Sequence, residues 1–122
     1  MNFKIETYGI ELKGRFEGDT YIMTEEEKRM EKSGELSVFQ TTSYTYSFKL
    51  GRTKVVTSDP IVINMTTQVD HIDIFYDIED DYGMNQTVYL KNGKKVWTRS
   101  RDHKRVSNWE KLGIKINKSE GW

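Results

Sequence analysis

Thr87-Val88-Tyr89-Leu90-Lys91-Asn92-Gly93-Lys94-Lys95-Val96-Trp97-Thr98 reads as two extended runs joined at Asn92-Gly93. Asn-Gly supplies the positive φ angles that a two-residue type I′ turn demands, so the segment is predicted to be a β-hairpin. A two-residue turn also fixes a register. Lys91 then faces Lys94, Leu90 faces Lys95, Tyr89 faces Val96 and Val88 faces Trp97. Because side chains alternate along a strand, Lys95, Trp97, Arg99 and Arg101 should share one face.

Upstream of this hairpin, Val69 to Glu79 alternates with the same period. Ile72, Ile74, Tyr76 and Ile78 fall on one side, and His71, Asp73, Phe75, Asp77 and Glu79 on the other. One face is oily and the other acidic. Ser43 to Leu50 is a further alternating strand, with Tyr44, Tyr46, Phe48 and Leu50 on its apolar side, and its preceding run, 35–42, reads as a partner. After the break at Asp59-Pro60, Ile61-Val62-Ile63 is apolar on both faces, as a buried central strand would be. Asn2 to Phe16 is expected to form two short strands or one broken strand. The turn residues Glu17-Gly18-Asp19 then lead back into Thr20 to Met23 as a first hairpin.

Helical signals are sparse. Thr24-Glu25-Glu26-Glu27 is a capping box that starts a helix of about ten residues, ended by Gly34. Only Met30 is apolar inside it, so it reads as a solvated excursion or an acidic helix offered to a partner. Ser107-Asn108-Trp109-Glu110 is a second box, closed by Gly113, from which a single helical turn is expected. A last strand around Ile114 and Ile116 precedes frayed terminal residues.

At 122 residues, with 35% hydrophobic and 12% aromatic content, the chain fits one domain, 1–122, whose core leans on aromatic rings. Ala and Cys are both absent. Without Ala the balance moves from helix to strand, and without Cys there is neither a disulfide framework nor a thiolate metal site. The expected fold is mainly β (α+β): a twisted antiparallel sheet of about six to eight strands, arranged as a sandwich or open barrel, with one short helix near residues 24–33. The N-terminal alternation is not the continuous apolar run of a signal peptide, and no stretch approaches membrane-spanning length. A cytoplasmic chain follows as the simplest expectation. Its Lys-, Asn- and Ile-rich, Ala-free composition matches an AT-rich genome such as that of a phage or mobile element.

Charge is segregated. Residues 59–86 carry seven acids and no Lys or Arg, whereas 87–118 carry ten bases and two acids, so a formal net charge of zero conceals a dipole. The acidic surface comprises Asp73, Asp77, Glu79, Asp80 and Asp81. The basic one comprises Lys91, Lys94, Lys95, Arg99, Arg101, Lys104 and Arg105, interleaved with Trp97 and Tyr89. Either the two pair with each other, or they face two different partners. From Asp77 the sixth and twelfth loop positions are Tyr82 and Val88, so the Gly and Glu of a calcium loop are missing. No nucleophile elbow, phosphate loop or zinc-protease pattern is present either, so no catalytic, cofactor or metal residue is assigned.

Three readings follow. The leading one is a non-enzymatic binding protein that meets a protein partner through charged β surfaces, as a phage or mobile-element modulator or inhibitor of a host system would. The second is a single-stranded nucleic-acid or RNA-binding β domain using the basic 91–105 hairpin, with Trp97 stacking on bases. The third is a carboxylate enzyme centred on Asp73 and Asp77, which requires a concave pocket around them. Sheet edges also offer a route to homo-oligomers.

Overall fold

A computed structural model of the chain describes residues 5–17, 20–39, 47–50, 53–56 and 61–121. Among them are ten strands and three α-helices, so the fold is mainly β with α+β character. The chain forms two compact units, Met1–Ile63 and Asn64–Trp122.

In the first unit, β1 (Arg15–Glu17) and β2 (Thr20–Ile22) form the expected hairpin, pairing Phe16 with Tyr21. Helix α1 (Glu25–Ser33) follows, then β3 (Leu36–Phe39), β4 (Ser47–Leu50), β5 (Thr53–Val56) and β6 (Ile61–Asn64). One sheet has the order β1-β2-β4-β5, and β3 pairs with β6 in a second. Tyr44 and Tyr46 lie outside the described residues, as do Asp59-Pro60 and the 18–19 turn. Of the face assigned to Phe48 and Leu50, only the strand backbone is described.

The capping box at Thr24 forms as read. The Thr24 hydroxyl accepts from the Glu27 N–H at 3.1 Å, the Glu27 carboxylate accepts from the Thr24 N–H at 2.9 Å, and Gly34 ends the helix at φ +90°. The helix is not a solvated excursion, however. Its Glu27 is buried and Met30 packs against a core of Tyr21, Met23, Leu36 and Val62. Val62 and Ile63 are fully buried, so that strand is apolar on both sides as its sequence implies. Between Ile5 and Gly14 the expected strands reduce to one parallel bridge, Glu6 to Ile61, because Tyr8 and Gly9 both take positive φ and turn the chain.

The second unit begins with one helical turn, α2 (Met65–Gln68), capped by the Asn64 side chain. Next come β7 (Val69–Asp77), a 3₁₀ turn (Ile78–Asp80), β8 (Gly83–Leu90), β9 (Lys95–Ser100), α3 (His103–Lys111) and β10 (Ile116–Gly121). Their sheet has the order β10-β7-β8-β9, antiparallel except where β10 runs parallel to β7. Among the described residues the strands thus number ten in three sheets, against the six to eight expected, and β10–β7 and β2–β4 are parallel pairings.

Ile72, Ile74, Met84, Val88 and Val96 point to the inner face of this sheet and are buried. Helix α3 lies over that face. His103 stacks on Tyr76 with centroids 6.0 Å apart, and Glu110 accepts from the Lys118 ammonium at 3.1 Å. A full helix replaces the single turn expected at Ser107, since the cap is Asp102, whose carboxylate accepts from the Arg105 N–H at 3.0 Å. Ser107 lies mid-helix, and Gly113, at φ +81°, marks the end as read. The C-terminal residues through Gly121 are held by pairing with β7 instead of fraying.

Candidate binding face

The β8–β9 hairpin forms, but with a register one residue away from that predicted. Leu90 donates its N–H to the Lys94 carbonyl at 2.8 Å, and Gly93 donates back to Leu90 at 3.0 Å. The loop therefore has three residues, Lys91-Asn92-Gly93. Only Gly93 takes positive φ, at +90°, while the Asn92 side-chain Oδ1 accepts from the Lys94 N–H. This is a tight turn followed by a glycine bulge, the other common use of Asn-Gly between strands. In consequence Tyr89 pairs with Lys95, Val88 with Val96, Thr87 with Trp97 and Asn85 with Arg99. The shift sets buried Val88 opposite buried Val96, whereas the two-residue turn would have set it opposite Trp97.

The outer face can be read in rows across the strands. His71, Tyr89 and Lys95 form one row; Asn117, Asp73, Thr87 and Trp97 the next; Ser119, Phe75, Asn85 and Arg99 a third. Trp97 is 52% exposed and Phe75 37%, and beyond the rows Tyr82 in the connecting turn is 48% exposed. Tyr89 and His71 are half-buried and stacked, with ring centroids 4.4 Å apart. Large aromatic rings left half in water together on one face of a sheet are the pattern that marks binding surfaces.

The charged residues lie around these rings. Arg99 crosses over Gly83, where an added Cβ would meet its guanidinium at 2.9 Å. It donates to Asp77 at 3.3 Å, to Asn85 at 3.0 Å and to Asp80. Arg101 donates to the Asp80 carboxylate at 2.7 Å and to its carbonyl at 3.1 Å. Asp73 accepts from Asn117 at 2.9 Å. Glu79 and Asp81 are exposed beside this cluster, and among the described residues no three His, Asp or Glu side chains gather as a metal site would require.

Acidic strand and basic hairpin therefore pair with each other at their far end. The two guanidinium groups hold the Asp80 carboxyl below its usual pKa, chiefly through the Arg99 hydrogen bond, and Asp80 in turn holds Arg99 above its own. A carboxylate with a depressed folded pKa contributes stability that is present above its unfolded value and is lost as the pH falls through the folded one. The Asp80 carboxyl carbon signal in an NMR titration should therefore move at a lower pH than that of an aspartate in an unstructured peptide. Asp80→Asn should abolish that late step, and a midpoint in the ordinary range would dismiss the ion pair.

Of the predicted basic residues, Lys91 lies exposed in the hairpin loop and Lys94 just after it, Lys95 and Arg99 follow along β9, and Arg101 lies just beyond its end. Lys104 and Arg105 do not join them. Both are on α3, across the sheet, and the Arg105 guanidinium lies 4.9 Å over the Trp109 ring. Phe75 and Tyr82, which join Tyr89 and His71 on this face, are not singled out by charge patterning. Their signal was the polar or aromatic side of each alternating strand.

The chain matches no protein-family model, curated protein or solved structure. No helix among the described residues is long and apolar enough to cross a membrane.

Proposed function

We propose that the chain is a non-enzymatic binding protein that docks a protein partner on the outer face of β7, β8 and β9, modulating the partner by occupying its surface. The observation that carries this reading is Trp97: a 52% exposed indole on strand β9, with Phe75 exposed two strands away and a rim of paired charges. Protein interfaces are enriched in aromatic residues and Arg, and their binding energy concentrates in a few such anchors surrounded by polar groups that exclude water. Charge on this face is balanced, since Asp73, Asp77 and Asp80 stand with Lys95, Arg99 and Arg101. Nucleic-acid binding draws its affinity from bases that neutralise phosphates. Two of the three bases here already neutralise Asp77 and Asp80. The partner's affinity is thus expected to come from the rings, and charge to set orientation and association rate.

The test is affinity capture from a nuclease-treated lysate with wild-type protein and with Trp97→Ala. A specific protein held by the wild type should bind the variant about 30-fold more weakly, matching an anchor of about 2 kcal/mol. Equal capture by Trp97→Ala overturns the reading. Capture that depends on intact nucleic acid replaces it with the stacking alternative.

A further inference from the structure

Strand β9 is the edge of its sheet: among the described residues it pairs with β8 alone. Antiparallel ladders alternate hydrogen-bonded and non-bonded pairs, and the Leu90–Lys94 bond fixes the phase. Val96, Thr98 and Ser100 therefore bond to β8, while the N–H and C=O groups of Lys95, Trp97 and Arg99 point away from the sheet. The same three residues carry the outward side chains of β9. Backbone bonding capacity and the exposed indole thus coincide on one strand.

We propose, resting on the protein-binding reading above, that this edge is completed by an extended acidic segment of the partner, added antiparallel to β9. Strand addition derives affinity from main-chain hydrogen bonds and specificity from alternate side chains. Lys91, Lys94 and Lys95 cluster at the hairpin tip, where β9 begins, whereas Arg99 leans back over Gly83 towards Asp77 and Asp80. An antiparallel segment ends at that tip. Its C-terminal residues should be acidic, facing the three lysines, and the residue opposite Trp97 should be large and apolar. Its inward positions, beside Val96 and Thr98, should be β-branched or similarly compact. A second copy of β9 fits poorly. Two-fold pairing about Trp97 sets Lys95 against Arg99 of the other copy, and pairing about Thr98 sets Lys95 against Arg101, like charges in either case.

The probe is the peptide Thr-Val-Leu-Val-Glu-Asp-Asp, designed so that Leu opposes Trp97 and Glu opposes Lys95. Added to the full chain, it should slow amide hydrogen exchange at Lys95, Trp97 and Arg99 about tenfold, leaving Val96 and Thr98, already bonded to β8, unchanged. Replacing its three acids with lysines should weaken binding at least about tenfold, and N-methylating the Leu amide, which would donate to Trp97, should abolish it. Binding that leaves the three amides fast, or that tolerates N-methylation, overturns strand addition in favour of docking on the face alone. No binding below about 1 mM overturns it too. In both cases a Trp97-dependent capture of protein would leave the binding function standing, so the two failures are distinguishable. Protection of the same amides that rises with protein concentration, without peptide, would name a second copy as the occupant and overturn the proposal.

Discussion

Trp109→Ala is expected to destabilise the second unit by about 3–5 kcal/mol, the cost of removing a fully buried large aromatic side chain and leaving a cavity. Trp109 has no exposed surface. It sits on the face of α3 shared with buried Val106, two turns from Asp102, with the Arg105 guanidinium over its ring. Its carbonyl also accepts from Leu112 and Ile114, at 3.1 and 3.3 Å, where the chain leaves the helix for β10. Small domains have about 5–15 kcal/mol in total, so a loss of this size consumes a large part of the margin. In urea the midpoint should fall by roughly 1–5 M, given slopes of about 1–3 kcal/mol/M for small proteins. Trp97→Ala is the control. An indole half in water has little packing to lose, and surface changes of that kind usually stay within about 0.5 kcal/mol. One tryptophan should govern stability and the other binding. If Trp97→Ala also unfolded the protein, its lost binding could not be ascribed to an anchor; if Trp109→Ala were as stable as wild type, the helix would not be packed as described.

The sequence carried the faces better than the registers. Alternation alone separated Ile72 and Ile74 from His71, Asp73, Phe75 and Asp77, because burial of one side of a strand is a period-two property visible in the residues themselves. Asn92-Gly93 announced a hairpin but not its loop length. A glycine in the left-handed region serves both a two-residue turn and a three-residue loop, and the choice falls to which side chains meet across the strands, here Val88 with Val96. The boundary of α3 was misplaced for a related reason. Ser107 and Glu110 have the spacing of a capping box, yet Asp102 caps earlier, and burial of Val106 and Trp109 on one face rewards the longer helix. The charge dipole was legible as a pattern. Its use was not, since the pairing of Asp80 with Arg99 and Arg101 depends on a turn in which both Asp81 and Tyr82 take positive φ, which non-glycine residues seldom do.

Glu27→Ala is expected to cost the first unit about 2–4 kcal/mol, more than loss of a helix cap explains. The Glu27 carboxylate closes the capping box, but it also accepts from the Lys13 N–H at 2.8 Å and from the Tyr21 hydroxyl at 3.0 and 3.2 Å. Tyr21 in turn accepts from the Gly14 N–H at 2.7 Å. One buried side chain thus ties the segment before β1, strand β2 and helix α1 together. Truncating it strands donors at Lys13, Tyr21 and Thr24, and a donor left without an acceptor costs about 1–3 kcal/mol where water cannot reach it. Thr24→Ala removes only the reciprocal cap bond and should cost about 1 kcal/mol. Glu27→Gln, which keeps one acceptor oxygen, should fall between the two. Equal losses for Thr24→Ala and Glu27→Ala would reduce Glu27 to an ordinary cap. Tyr21 gives a second readout. Burial pushes its hydroxyl up to about 12, with the Glu27 hydrogen bond and negative charge adding to the shift and the Gly14 N–H opposing it. A phenol whose folded pKa lies above its unfolded value of about 10 contributes stability that is full below that pH and is lost as the pH rises through 12. Glu27→Ala removes two of the causes that raise it, so tyrosinate absorbance from Tyr21 should emerge at lower pH in any fraction of the variant that remains folded. An unmoved titration would mean that burial alone sets the phenol and that the carboxylate does not reach it.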